Sequence, residues 1–217
     1  MSVVREEFGP TLPELVGRRL GVRPRAVWLS LAAIGAVAVA VVAWLGLRPT
    51  PNQSTVVVRE PVTYNLIDAD ALRRIAPRSG ETLRLQSRSG PPQSFVVHTL
   101  RLQPYKGDVS AALTFLSARL IDEMRGQYQD FVWRGDGRVN INKQPGYQII
   151  FQARVDGRTT YGRRVLLVAK PDPPPREGVD LTILAARSPS VPNLDSVGAT
   201  GALKTAYRSF RFGSDRP

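Results

Sequence analysis

The hydrophobic pattern is most uneven near the N-terminus, where an apolar run without any charged residue extends from Ala26 to Leu47. At about 1.5 Å per helical residue this run is roughly 33 Å long, which is enough for the hydrocarbon core of a bilayer. Trp28 and Trp44 lie near its ends, where indole rings favour the headgroup boundary. The pattern predicts an uncleaved transmembrane helix over residues 26–47.

Basic residues are more frequent before this run than after it. Residues 1–25 contain five arginines, whereas Arg48 is the only basic residue between the run and Arg59. Short flanks rich in Lys and Arg stay in the cytoplasm. We therefore expect a single-pass protein of the cell membrane with a cytoplasmic N-terminus and an extracytoplasmic C-terminal domain. A cleaved signal peptide is the alternative, but its apolar region is normally only about 7–15 residues long.

Small residues recur at every fourth position of the predicted span, at Ala32, Ala36 and Ala40. This spacing lets two helices approach closely, so helix–helix association in the lipid bilayer is one interpretation. The other is an alanine-rich helix that contacts only lipid. The pattern along the whole chain predicts a cytoplasmic tail at 1–25, the transmembrane helix at 26–47, a linker at 48–54, an extracytoplasmic α+β domain at 55–213 and a tail at 214–217.

After the linker, the pattern alternates between strand and helix periods. Apolar residues at three- and four-residue spacing predict a long helix from Asp108 to about Gly126. Two long strands joined at Asp156-Gly157 predict a β-hairpin, and a short helical turn is predicted from Asp68 through Ile75. The predicted fold class is α+β: one N-terminal transmembrane helix followed by an antiparallel β-sheet domain flanked by helices.

The order of elements over about residues 60–212 resembles the PsbP-like/LpqN-like superfamily. The resemblance lies in a PGY-hydrophobic strand, the D-G hairpin, the apolar strand VLLVAK, a Pro/Gly loop, the strand LTIL and a terminal helix that leads into Ser209-Phe210-Arg211-Phe212. That group includes extrinsic photosystem subunits, actinobacterial lipoproteins and a Ran-binding import factor. The resemblance implies an antiparallel sheet flanked by helices that serves as a protein-binding or assembly module. The chain differs from the lipoproteins because it has no lipobox Cys.

Composition excludes several kinds of chemistry. The chain has no Cys and one His, so thiolate zinc sites, iron–sulfur clusters, Cys nucleophiles and two-His metal sites built by one chain are excluded. No phosphate-binding glycine loop or dinucleotide fingerprint is present. The net charge of +12 comes from arginines that are spread along the chain rather than gathered in a run. No catalytic, metal or cofactor residue is predicted, and nucleic acid is not an expected partner.

The remaining candidates for chemistry are a histidine, paired acids and an arginine cluster. Strand alternation places His98 on an apolar side, as a half-buried residue rather than a general base. The paired acids at Asp68 and Asp70 and at Asp122-Glu123 are expected to be capping or solvated residues. Four arginines and a tyrosine near the D-G hairpin form the candidate partner surface, for an anionic partner or as a solvated sheet face; they are Arg154, Arg158, Arg163, Arg164 and Tyr161.

These patterns predict a membrane-anchored extracytoplasmic binding or assembly module of a bacterial envelope, with an envelope protein as partner and without enzymatic activity. Two alternatives stay open. A carboxylate-based cell-wall hydrolase would need two acids about 5–10 Å apart in one cleft. An extracytoplasmic sensor domain would need a separate cytoplasmic partner, because the predicted inner tail is short.

Overall fold

The computed structural model describes residues 29, 32–41, 53–103, 107–169 and 177–214. They belong to two compact units, one within residues 1–50 and one within residues 51–217. In the first unit residues 32–41 are helical, and their side chains are exposed, including those of Ala32, Ala36 and Ala40. Whether these alanines mediate helix–helix association is not tested and stays a prediction, as do the predicted boundaries of the tails, linker and domain.

The predicted α+β fold class with a transmembrane helix is wrong. The described residues are mostly β-sheet with a few helices, and none of their helices combines the length and the apolar character needed to cross a membrane. Apart from Leu29 and residues 32–41, the predicted span 26–47 lies outside the described residues.

A large antiparallel sheet organises the second unit. Its seven strands are β3 (Leu72–Ile75), β4 (Glu81–Ser87), β5 (Gln93–Arg101), β6 (Gln129–Ile141), β7 (Gln144–Val155), β8 (Arg158–Val168) and β9 (Glu177–Ala186). They are arranged in the order β3-β4-β5-β9-β8-β7-β6, so that β9 lies between β5 and β8.

One face of this sheet packs against the long helix α1 (Val109–Gln127), which lies against β6 and β7. The helix buries Leu113, Leu120 and Met124 against Ile149 and Phe151. This is the helix that the sequence predicts, and Asp108 is at its N-cap position, although its side chain makes no capping hydrogen bond. Burying this stripe of apolar side chains holds α1 on the sheet.

The opposite face of the large sheet packs against a second helix and a small sheet. These are α2 (Leu203–Ser209) and the three-stranded sheet of β1 (Gln53–Val58), β2 (Tyr64–Ala69) and β10 (Arg211–Phe212), in the order β1-β2-β10. Phe210 is fully buried here, with its ring 5.3 Å from that of Tyr64 and 5.5 Å from that of Phe212. Aromatic contacts of this kind join α2 to the small sheet.

The helical turn predicted from Asp68 through Ile75 is wrong, because this stretch consists of the end of β2, a turn and β3. Leu72 is buried while Arg73 and Arg74 are exposed, and β3 pairs with β4 in the register Leu72 to Ser87. The hydrogen bonds of this pairing outweigh the local preference of Asp68 for a helix start.

The β7–β8 hairpin predicted at Asp156-Gly157 is confirmed. Both turn residues have positive φ, at 49° and 74°, and the flanking Val155 and Arg158 are paired. This is the turn geometry that matches the twist of two antiparallel strands, and glycine adopts it without strain. The turn places Arg158 at the start of β8.

Candidate functional site

A polar groove lies on the α1 face of the large sheet, beside the helix. We call it the sheet groove; its volume is about 960 Å³. Strands β4, β5, β9 and β8 form its floor, Gln127 and Tyr128 at the end of α1 form one wall, and the β7–β8 hairpin closes one end. Its charged lining residues are Arg78, Glu81, Arg84, Asp156, Arg158 and Arg164.

The register of the strands brings two arginines to the same level of the floor. Arg84 on β4 is paired with Val96 on β5, Val96 with Thr182 on β9, and Thr182 with Arg164 on β8. Three strand spacings of about 4.8 Å separate the two arginines, or roughly 14 Å in total. Arg84 and Arg164 therefore lie on either side of a floor made by Val96 and Thr182.

Arg164 is held by a buried carboxylate. Its Nε donates to Oδ1 and Oδ2 of Asp180 at 3.0 and 2.9 Å, and its Nη2 donates to Oδ2 at 2.5 Å. The two side chains are only 16% and 8% exposed. Burial by itself lowers the pKa of Arg164, but the hydrogen bonds and charge of Asp180 outweigh it and raise this pKa. The guanidinium is therefore a fixed, charged part of the floor.

Arg84 is held in a similar way by Glu81, whose side chain is 4% exposed. Nε of Arg84 donates to Oε2 of Glu81 at 2.7 Å, its Nη2 donates to Oε1, and the backbone N–H of Arg78 donates to Oε2 at 2.9 Å. The pKa of Glu81 is lowered to about 2, mainly by the hydrogen bonds from Arg84. Burial acts in the opposite direction and raises this pKa, whereas the hydrogen bond from the Arg78 N–H lowers it further. Glu81 therefore stays ionised at neutral pH.

His98 lies between the two carboxylates. It is paired with Glu81 on one side and with Asp180 on the other, and it is half-buried in the lining of the sheet groove. Val96 and Leu100 lie on the same side of β5 as His98, as the alternation predicts. The prediction that this side is apolar is wrong at His98, which lines a polar groove, whereas Phe95 and Val97 face the apolar core. The charge of His98 is one of the smaller influences that lower the pKa of Glu81.

Tyr128 adds a phenol to the wall. Burial raises its pKa, while the charges of Arg164 and Arg84 lower it and that of Asp180 raises it. Tyr128 lines the sheet groove together with Arg84 and Arg164. The sheet groove therefore combines fixed guanidinium groups with uncharged oxygen and nitrogen atoms, which is a surface suited to hydrogen bonding with a polar ligand.

The five residues of the predicted partner surface are separated by the sheet. Arg158 and Arg164 line the sheet groove. Tyr161 is buried in the core on the α2 face, and its hydroxyl donates to the Pro192 carbonyl at 3.4 Å.

The other two arginines of the predicted surface lie outside the sheet groove. Arg163 donates to Gln148 Oε1 at 3.2 Å, and its guanidinium lies 5.6 Å from the centre of the Tyr207 ring, also towards α2. Arg154 forms an exposed ion pair with Asp130 at 2.8 Å.

Sequence reasoning did not single out Arg78, Glu81, Arg84 or Asp180. Alternation along β4 shows that Arg84 faces away from Leu83 and Leu85, which are fully buried. The position of Asp180 beside His98 depends on β9 pairing with β5, and these strands are separated along the chain by α1 and three other strands. No local signal in the sequence indicates that pairing.

The acids of the described residues give no support to a hydrolase. Glu81 and Asp180 both accept hydrogen bonds from arginines. Those hydrogen bonds lower the pKa of Glu81, whereas a glycosidase needs one carboxyl that keeps its proton. Asp122 and Glu123 form exposed ion pairs with Arg125 and Arg119 on α1. Asp68 lies on β2, where burial raises its pKa.

In the described ranges, no group of three or more acids and histidines is arranged to hold a metal ion.

Comparison with known proteins gives a fold. No protein-family model matches the chain, and neither does any curated protein. Among solved structures, it is similar to LpqN, involved in cell envelope biogenesis of Mycobacterium tuberculosis, with a TM-score of 0.52 and 13% identity over 75% of this chain and 92% of LpqN. It is also similar to cyanobacterial PsbP (CyanoP) from Synechocystis sp. PCC 6803, with a TM-score of 0.51 and 7% identity over 77% of this chain and 96% of CyanoP.

The chain has a PsbP/LpqN-like fold. The resemblance deduced from the order of elements is confirmed to this extent. At these identities the likeness concerns the fold alone, so neither relative supplies a role for any residue of the sheet groove.

Proposed function

We propose that this chain is a non-catalytic binding or assembly module of a bacterial envelope, and that the sheet groove is its recognition site. The observation that carries the proposal is the groove itself: a half-open polar cleft of about 960 Å³ whose buried arginines are fixed by carboxylates. Convergent polar groups in a large cleft are typical of a binding site. LpqN, which has the same fold, is involved in cell envelope biogenesis, and this supports an envelope location.

The partner is a component of the envelope rather than a nucleic acid. An extracytoplasmic domain does not meet nucleic acid. The arginines of the described residues are dispersed, and several of them are paired with carboxylates, unlike the basic stripe of a nucleic-acid-binding surface. A cell-wall hydrolase is less well supported, because Glu81, which lines the groove, and Asp180, which holds the lining residue Arg164, are both bound by arginines.

Fractionation tests the location. Cells that produce the full-length chain are separated into cytosolic and envelope fractions, and the chain is detected by immunoblotting. We expect it in the envelope fraction. Recovery of the intact chain in the cytosolic fraction would contradict the proposed envelope location.

Photo-crosslinking in cells tests the recognition site. A photoreactive residue replaces Ser94 on the groove floor, and a control replaces the exposed Arg138 on β6, outside the groove. We expect an envelope-derived adduct from position 94 and none from position 138. If illumination gives the same adducts from both positions, or none from position 94, the sheet groove is not the recognition site.

A further inference from the structure

We propose that the sheet groove binds an acidic saccharide, meaning a sugar chain that carries carboxylate or phosphate groups. This inference rests on the proposed function and names the ligand class of the same site. It follows from three properties of the groove: its charge, the hydrogen-bond donors that its ion pairs leave available, and the small number of apolar side chains in its lining.

The charge of the groove favours an anion. Four arginines and two acids line it, and two of those arginines are already bound by carboxylates. The other two, Arg78 and Arg158, are exposed and form no ion pair with any residue that the structure describes. They are the cations that a negatively charged ligand can reach without breaking an existing pair.

These two arginines lie at opposite ends of the groove. The backbone N–H of Arg78 donates to the carboxylate of Glu81. Across the sheet, Glu81 is level with Leu166 on β8, because Glu81 is paired with His98, His98 with Asp180, and Asp180 with Leu166. Along β8, Arg158 lies eight residues before Leu166, or roughly 26 Å at about 3.3 Å per residue. An anionic chain extended along the groove can therefore contact a cation at each end, which a single small anion cannot.

The fixed arginines between the ends offer further donors. A guanidinium has five N–H groups in a planar fork. In Arg164 the carboxylate of Asp180 takes donors on Nε and Nη2, and in Arg84 the carboxylate of Glu81 does the same, so the Nη1 donors of both remain. Because the two side chains are 17% and 16% exposed and already held in place, a ligand that accepts from them orders little that was mobile.

The rest of the lining matches sugar hydroxyls better than protein side chains. Apolar side chains are a minority, and the aromatic anchors that dominate protein interfaces are represented by Tyr128 alone. Hydroxyl and amide groups, which both donate and accept, occupy the positions between the arginines; they are Gln86, Ser94, Thr160 and Thr182.

Isothermal titration calorimetry with the full-length chain tests the ligand class. The probes are an oligogalacturonate for carboxylates, a phosphorylated oligomannose for phosphates, a neutral malto-oligosaccharide of matched length, and an oligoglutamate peptide. We expect one or both acidic saccharides to bind at least tenfold more tightly than the neutral one, more weakly as salt is raised, and more tightly than the peptide. Equal binding of the neutral sugar, or tighter binding of the peptide, overturns the inference.

Matched variants test the location. Arg158→Gln and Arg78→Gln should each weaken binding of the acidic saccharide about tenfold, as expected for loss of one charge-assisted contact. Arg138→Gln, an exposed arginine on β6 outside the groove, should leave it unchanged. Circular dichroism checks that each variant is folded. An equal loss in all three variants, or none in the groove variants, overturns the inference.

The two levels of proposal can fail separately. If position 94 gives an envelope-derived crosslink but neither acidic saccharide binds, the saccharide inference is overturned and the proposed binding function stands. If saccharide binding is lost on Arg158→Gln while the chain is found in the cytosol, the ligand class stands and the envelope location is overturned.

Discussion

Replacing Glu81 by Gln should destabilise the fold by an amount that can be worked out from its surroundings. The carboxylate is 4% exposed, and it accepts hydrogen bonds from Arg84 and from the backbone N–H of Arg78. These contacts lower its pKa from 4.5 to about 2. At about 1.4 kcal/mol per pKa unit, the ionised form contributes up to about 3.5 kcal/mol at pH 7. Because an amide can keep part of the hydrogen bonding, we expect a loss of about 2–3 kcal/mol.

The loss should depend on pH in a defined direction. In the unfolded chain Glu81 takes up its proton near pH 4.5, whereas in the folded chain it does so near pH 2. The stabilisation is therefore complete at pH 7 and is lost as the pH falls from about 4.5 towards 2. Gln does not titrate, so the difference in unfolding free energy between the two proteins should shrink across this range.

Urea unfolding monitored by circular dichroism, repeated from pH 7 to pH 3, measures this difference. Glu123→Gln is the matched control, because Glu123 forms an ion pair with Arg119 in which both side chains are more than half exposed. A surface pair of this kind contributes less than about 1 kcal/mol. The reasoning is refuted if Glu81→Gln costs no more than the control, or if its cost is the same at pH 7 and pH 3.

Three further changes test the packing. Gly162→Ala would bring a Cβ to 2.2 Å from the buried Phe151 ring, so we expect a loss of about 1–3 kcal/mol in urea unfolding, whereas Gly137→Ala, with open space around it, should cost much less. Phe210→Ala removes a fully buried ring and should cost about 3–5 kcal/mol, seen as a lower urea midpoint. Burial raises the pKa of Tyr64 to about 12, although a hydrogen bond with Thr82 lowers it. Because the phenol loses its proton near pH 10 in the unfolded chain, stability should fall as the pH rises from about 10 towards 12. Alkaline unfolding curves of Tyr64→Phe should show a smaller fall in stability. Equal costs for the two glycine variants, a small cost for the phenylalanine variant, or parallel alkaline curves would contradict these expectations.

Local patterns in the sequence are enough to predict many of the elements. The apolar stripe of α1 and the turn at Asp156-Gly157 depend on residues that are close together along the chain, and both are where the pattern predicts them. The stretch from Asp68 through Ile75 shows the limit of such patterns. Its cap-like Asp favours a helix locally, but pairing of Leu72 with Ser87 makes it a strand.

The candidate site depended on the tertiary structure to a much greater extent. Arg163 and Arg164 are neighbours in sequence and are predicted to share one surface, yet successive residues of a strand point to opposite faces. Arg164 lines the sheet groove, while Arg163 lies near Tyr207 on the other face. A cluster of residues along a strand is therefore divided in two by the sheet.

By itself, the sequence determined which side chains alternate between the two faces of a strand, where the long helix and the D-G hairpin lie, and that the chain has no Cys to supply a thiolate. Only the tertiary structure decided that β9 lies between β5 and β8, and this arrangement brings Asp180 beside His98 and places Arg84 level with Arg164. The physical reason is that alternation is a property of each strand alone, whereas strand order and register depend on how distant segments bury their apolar faces together.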